Sequence, residues 1–192
     1  MLQPYDPAWP VRAAALLAAA ERALDPLGVA EAFDHIGSTS VPGLTAKAYV
    51  DLQITVRAFP DADVLEQALA GAGFDPATGA RPDSPGVHRD VPRGSEVVPD
   101  DLWRKRLFVH DLDGPAAAIL HVRLSASPWS RYTVWFRDWL RAHPGARDRY
   151  AAFKVQVAAE HAGDPDFDDY THAKTAFFDA VQDEFEAWGR RA

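Results

Sequence analysis

One short run, residues 50–56, constrains this chain more than any other. Val50, Leu52, Ile54 and Val56 alternate with Asp51, Gln53 and Thr55, the two-residue period of a strand with unlike faces. The apolar face requires a packed layer over it, while the polar face has to stay hydrated or find partners. Residues 32–36, closed by Gly37-Ser38, read as a neighbouring strand. Residues 103–110 and 118–124 read as two more, joined by a hairpin at Asp111-Leu112-Asp113-Gly114-Pro115. Strand parity puts Arg104, Arg106 and Phe108 on one face and Trp103, Lys105, Leu107 and Val109 on the other. In the last strand it separates Ile119, His121 and Arg123 from Leu120, Val122 and Leu124.

Helical patterns fill most of the remaining chain, and their order collects them against one side of a small sheet. Residues 7–26 space Trp9, Val11, Leu16, Leu17, Ala20 and Leu24 helically and stop at Asp25-Pro26-Leu27-Gly28. Residues 63–72 form a shorter helix. Ser127-Pro128, an N-cap followed by Pro in the first turn, opens a helix to about Ala142, broken by His143-Pro144-Gly145. Two more helices are expected over residues 147–161 and 171–188. The stripe Trp129, Tyr132, Trp135, Phe136 and Trp139 has the spacing of a packing face. Residues 75–101 show no apolar period, and so long a segment is more often functional or mobile than inert. The order predicts an α+β domain spanning residues 1–192, a sheet core to about 125 and a C-terminal helical cap from about 127.

Composition narrows the function classes. The 192 residues carry a formal net charge of −8 at a pI near 5.3, which argues against non-specific DNA binding. No cysteine is present, which removes disulfides, thiolate metal sites and a thiol nucleophile. The longest apolar stretch, Ala13 to Ala20, is far short of the ~20 residues of a membrane span. The first residues lack the basic region of a signal peptide. The expectation is a soluble cytoplasmic protein with no membrane partner.

Candidate chemistry gathers around residues 35–51. Gly37 permits positive φ, and Ser38, Thr39 and Ser40 supply three hydroxyls, so this turn either cradles a phosphate or is an ordinary polar turn. Neither a Walker A loop nor a dinucleotide fingerprint is present. Lys47 and Asp51 follow directly. The chain has 16 Arg but only four Lys, at 47, 105, 154 and 174; an ammonium is a compact point charge suited to phosphate. His35 and His121 are each either a base or ligand or a hydrogen-bonded structural ring.

Gly37-Ser38 followed by an acid in a strand resembles the signature of the polymerase-β-like nucleotidyltransferase superfamily. Five segments tighten the resemblance to the GrpB family, a bacterial group assigned to that superfamily. They are Tyr5 to Pro10, His35 to Lys47, Phe136 to Pro144, Tyr150 to Lys154 and Tyr170 to Lys174. The resemblance implies a nucleotidyltransferase-like mixed sheet packed by helices. It also implies a Gly-Ser turn on the nucleotide phosphates, with Asp51 as catalytic acid and Mg²⁺ ligand. Two departures stand out. Gln53 occupies the position of a second acid, and His121 and Arg123 the place of a third. With Lys47, Arg104 and Arg106 on the same side the pocket would be cationic, holding an anion without metal. Gly37, Ser38, Thr39, Ser40, Lys47, Gln53, Arg104, Arg106, Arg123, Arg137, Lys154 and Lys174 are therefore the expected binding residues, with Asp51 and His121 as catalytic groups. The expected partner is a nucleotide or other phosphorylated small molecule, with weak Mg²⁺-assisted nucleotidyl transfer as the enzymatic form. The rival is a non-catalytic accessory or protein-folding module, since a domain of this kind is fused to dephospho-CoA kinase in some bacteria.

Overall fold

The structure is a computed structural model that describes residues 2–79, 84, 86–162, 169 and 173–191. Its centre is a mixed sheet in the order β1-β2-β5-β4-β3, made of Ala30–Ile36, Val50–Val56, Ala118–Leu124, Lys105–His110 and Asp75–Pro76 respectively. β2 and β5 run parallel, and the other pairs are antiparallel. The two-faced pattern of β2 dictates the layers. Val50, Leu52, Ile54 and Val56 are fully buried against α1 (Ala8–Leu24) and α2 (Ala62–Ala70), through Trp9, Leu24, Leu65 and Leu69. Each such buried aliphatic side chain stabilises by about 1.5–3 kcal/mol.

The opposite face carries the polar row Asp51, Gln53 and Thr55. Register places Ile119, His121 and Arg123 of β5 beside them in turn, with Val109, Leu107 and Lys105 of β4 beyond. Over this face lie α3 (Pro128–Ala142) and α4 (Pro144–Glu160), then α5 (Thr175–Ala180) and α6 (Gln182–Gly189). Tyr132, Phe136 and Trp139 form a second apolar cluster with Val41, Leu44, Val181 and Phe185. The aromatic stripe of α3 is thus packing surface.

Helices cover both faces of the sheet, where the sequence reading collected them on one side, because the polar face of β2 also finds a packed layer, through α3; three further details differ. Ser127 starts α3 without a side-chain cap bond; the Ser130 hydroxyl instead donates to the Ser127 carbonyl at 2.7 Å. The expected helix over 171–188 is two helices bent at Val181, which lets Phe178 and Phe185 both meet Phe136, at 4.6 and 5.4 Å; residues 171 and 172 lie outside the described residues. The described residues of the stretch 75–101 are anchored, residues 80–83 and 85 lying outside the described residues. Asp75–Pro76 joins the sheet edge, Arg89 bridges Arg104, and the buried Asp90 pairs with Lys105 and Arg123 on the polar face. These anchors are two short backbone pairings and one buried charge, none of which apolar periodicity registers. No helix among the described residues is long and apolar enough to cross a membrane.

Candidate functional site

The link from β1 to β2 builds one end of the site. Gly37 adopts φ +70°, ψ −171°, a region essentially closed to side chains. A Cβ placed there would lie 2.3 Å from Asp51 Oδ2, because the register Ile36↔Asp51 brings the two together. Residues Ser38–Ser40 form a short 3₁₀ turn. The Ser40 hydroxyl donates to the Gly37 carbonyl at 2.5 Å, and Thr39, buried, pairs with His35 at 3.0 Å. From α3, Arg141 donates twice to the Ser40 carbonyl. Arg137 binds the His35 carbonyl, Asp34 and Asp138. Both arginines therefore brace the turn from behind.

In front of the turn opens a cavity of about 420 Å³. Its charged wall carries Ser38, Lys47, Asp51, Lys154 and Lys174, and its other wall is mostly apolar, with Leu107, Val109 and Ile119 from the sheet. Three of the chain's four lysines thus converge on one concavity. Lys154 is almost fully buried and donates to the Thr45 carbonyl, with its ammonium 4.9 Å from the Tyr150 ring. Burial, then the charge of Lys174, lowers its amine to about 7. The same two causes bring Lys47 to about 8, and burial lowers Lys174 against the pull of Asp51. Burial raises the Asp51 carboxyl, opposed first by Lys174 and then by Arg123, Lys105 and Lys154. An anion entering this cavity would meet amines whose charge burial disfavours.

Several expected residues lie elsewhere. Arg106 opposes Val122 and so points to the α1–α2 side of the sheet, and Arg104 is exposed beside the Arg89 bridge; parity put them together correctly but on the wrong side of the sheet. Lys105 takes the face assigned to them. It belongs to a second buried network: Asp90 holds Arg123 at 2.6 and 2.9 Å and Lys105 at 3.0 Å. Arg123 and Lys105 hold Asp90 well below the ordinary carboxylate range despite its burial. Gln53 accepts from Arg123 and Thr133 and donates to the Ser130 carbonyl. His121 Nδ1 lies 3.2 Å from Lys105 Nζ and 3.3 Å from Arg123 Nη2. Burial and these two cations push the ring well below its usual pKa. Arg123 is consumed in holding Asp90, Gln53 in bonding Arg123 and α3, and His121 in packing against Lys105 and Arg123; none of the three lines the cavity, so His121 is not positioned as its base. His35 is likewise lowered, to about 4, by burial, Arg141 and Arg137.

The donor set does not fit a pair of Mg²⁺ ions. Such ions want several clustered carboxylates. Among the described residues no three His, Asp or Glu side chains gather to hold a metal, and Asp51 is surrounded by cations. Sequence reasoning missed Asp90 and the apolar wall. Asp90 sits in a stretch without pattern, and the wall residues look like ordinary strand positions. The scarcity of lysine was the usable signal.

Comparison with known proteins agrees with this architecture. The family described as GrpB protein matches residues 1–184. A dephospho-CoA kinase of Mycolicibacterium paratuberculosis is 34% identical over 190 residues, covering 92% of this chain and 44% of that protein. The chain thus spans less than half of that relative. A UPF0157 protein of Streptomyces coelicolor is 33% identical over 181 residues, covering 94% of this chain and 81% of its own. The crystal structure of the conserved protein GrpB from Enterococcus faecalis has a TM-score of 0.73 at 22% identity, covering 98% of this chain and 99% of that one; it shares the fold. The chain belongs to the GrpB family.

Proposed function

We propose that the chain recognises a nucleotide or other phosphorylated small molecule in this cavity, without metal. The observation that carries the reading is the convergence of Lys47, Lys154 and Lys174 beside the Gly37-Ser38 turn. A phosphate there gains charge-assisted hydrogen bonds from the amines and restores the protonated form that burial disfavours. Asp51 would accept from a ligand hydroxyl or pair with Lys174. With Gln53 and His121 engaged elsewhere, binding is better supported than nucleotidyl transfer. A second reading, an accessory module that works beside another activity, is favoured by the likeness to less than half of proteins named dephospho-CoA kinase. The test is thermal unfolding with inorganic phosphate, nucleotides and dephospho-CoA, in EDTA and in Mg²⁺. A ligand at about 100 times its Kd adds about 2.7 kcal/mol, which raises the Tm of a domain this size by roughly 5–10 °C. That rise is expected equally in EDTA. No rise with any phosphorylated compound overturns the proposal in favour of the accessory reading.

A further inference from the structure

The floor of the cavity is a single row across three strands. Asp51 of β2 sits beside Ile119 of β5, and Ile119 beside Val109 of β4. In the next row Leu107 follows His121. The sheet surface under the cavity therefore changes character over two strand spacings, about 10 Å. At one side stand the acid, the serine turn and the lysines; at the other stand Val109, Leu107 and Ile119, extended by Leu112 of the β4–β5 hairpin. Asp113, the polar lining residue contributed by that hairpin, is exposed at its tip.

Resting on the phosphate-binding reading above, we infer that the ligand is a phosphomonoester whose organic part is apolar over its first ~10 Å, with the phosphate at the lysine end and the apolar body along Val109 and Leu107. A purine or pyrimidine stacked flat on this wall keeps its edge donors and acceptors, for which the lining beyond the phosphate-holding groups offers only the Tyr49 and Asp113 side chains, and each buried polar group without a partner is unfavourable. An alkyl body leaves none. A monoester also suits the charge better than a triphosphate: three lysines and two aspartates line the cavity, a net charge of +1 when all are ionised, so a phosphate dianion leaves far less charge uncompensated than a triphosphate without metal.

The experiment is a calorimetric titration of the whole chain in EDTA with inorganic phosphate and with n-alkyl phosphates from methyl to hexyl. Burying each methylene on this wall is expected to tighten binding about fourfold, so hexyl phosphate binds far more tightly than methyl phosphate, and AMP binds no more tightly than methyl phosphate. In Val109→Thr, which keeps the side-chain shape, the gain per methylene is expected to shrink while inorganic phosphate binds as before. Binding of phosphate with no gain along the series, or AMP outranking hexyl phosphate, overturns the inference and leaves the phosphate site standing. No binding by any of these compounds overturns the phosphate site itself and this inference with it.

Discussion

Substituting Gly37 by alanine tests how tightly the turn and the acid are joined. At φ +70°, ψ −171° an L side chain costs about 1–3 kcal/mol in backbone strain alone. The added methyl also meets Asp51, at 2.3 Å from Oδ2 and 2.8 Å from both Cβ and Cγ. Asp51 has little room to retreat, because its neighbours Val50 and Leu52 are fully buried in the sheet. Forcing a methyl into such packing costs about 1–3 kcal/mol more. The sum, about 2–6 kcal/mol, lowers the Tm of a domain this size by at least about 4 °C, read by calorimetry. Gly28→Ala is the control. Gly28 also has positive φ, +60°, but nothing lies within 4 Å of its Cβ position, so only about 1–2 kcal/mol is expected. Asp51→Ala combined with Gly37→Ala removes the Oδ2 and Cγ contacts but keeps the 2.8 Å contact with Cβ, so it should recover part of the packing loss and leave the strain, a coupling of up to about 1–3 kcal/mol. A Gly37→Ala protein no less stable than Gly28→Ala, or a double variant with strictly additive losses, would refute the reasoning.

Asp90→Ala strands Arg123 and Lys105 as uncompensated buried cations, and unfolding should show a loss of about 3–5 kcal/mol. Because the Asp90 carboxyl is held below its usual value, its contribution is complete above about pH 4 and is lost as pH falls through the depressed folded value. The parent's stability should therefore decline more steeply in acid than that of the variant; parallel acid curves would contradict this. For the lysines the sign is opposite. Lys154 and Lys47, lowered to about 7 and about 8, must take up protons to meet a phosphate dianion. Phosphomonoester affinity should thus weaken between pH 7 and 9, by up to tenfold per pH unit for each proton taken up. Calorimetry in buffers of different ionisation enthalpy reads that uptake, and equal affinity at both pH values would exclude these amines as the binding groups.

How much of this was legible beforehand follows from the physics of each element. β2 and β5 are readable because alternation survives wherever one sheet face is apolar, and α3 because Pro128 and His143-Pro144 punctuate it. Parity within β4 is equally readable, but it cannot say which face of the sheet each set meets. That depends on pairing with a strand distant in sequence, and it is why Lys105, rather than Arg104 and Arg106, lies on the polar face. The described part of 75–101 is held by short backbone pairings and by a carboxylate, Asp90, between two cations, contacts between residues far apart in the chain that leave no periodic trace. At the cavity, chemistry rather than periodicity gave the signal: an arginine-rich chain keeps three of its few lysines for one concavity.

The most direct measurement is diffraction from crystals of the chain grown with butyl phosphate in metal-free buffer. The account predicts a phosphoryl group among Ser38, Lys47, Lys154 and Lys174, with the alkyl chain along Leu107 and Val109. A butyl phosphate bound on another surface while this cavity holds only solvent would contradict it.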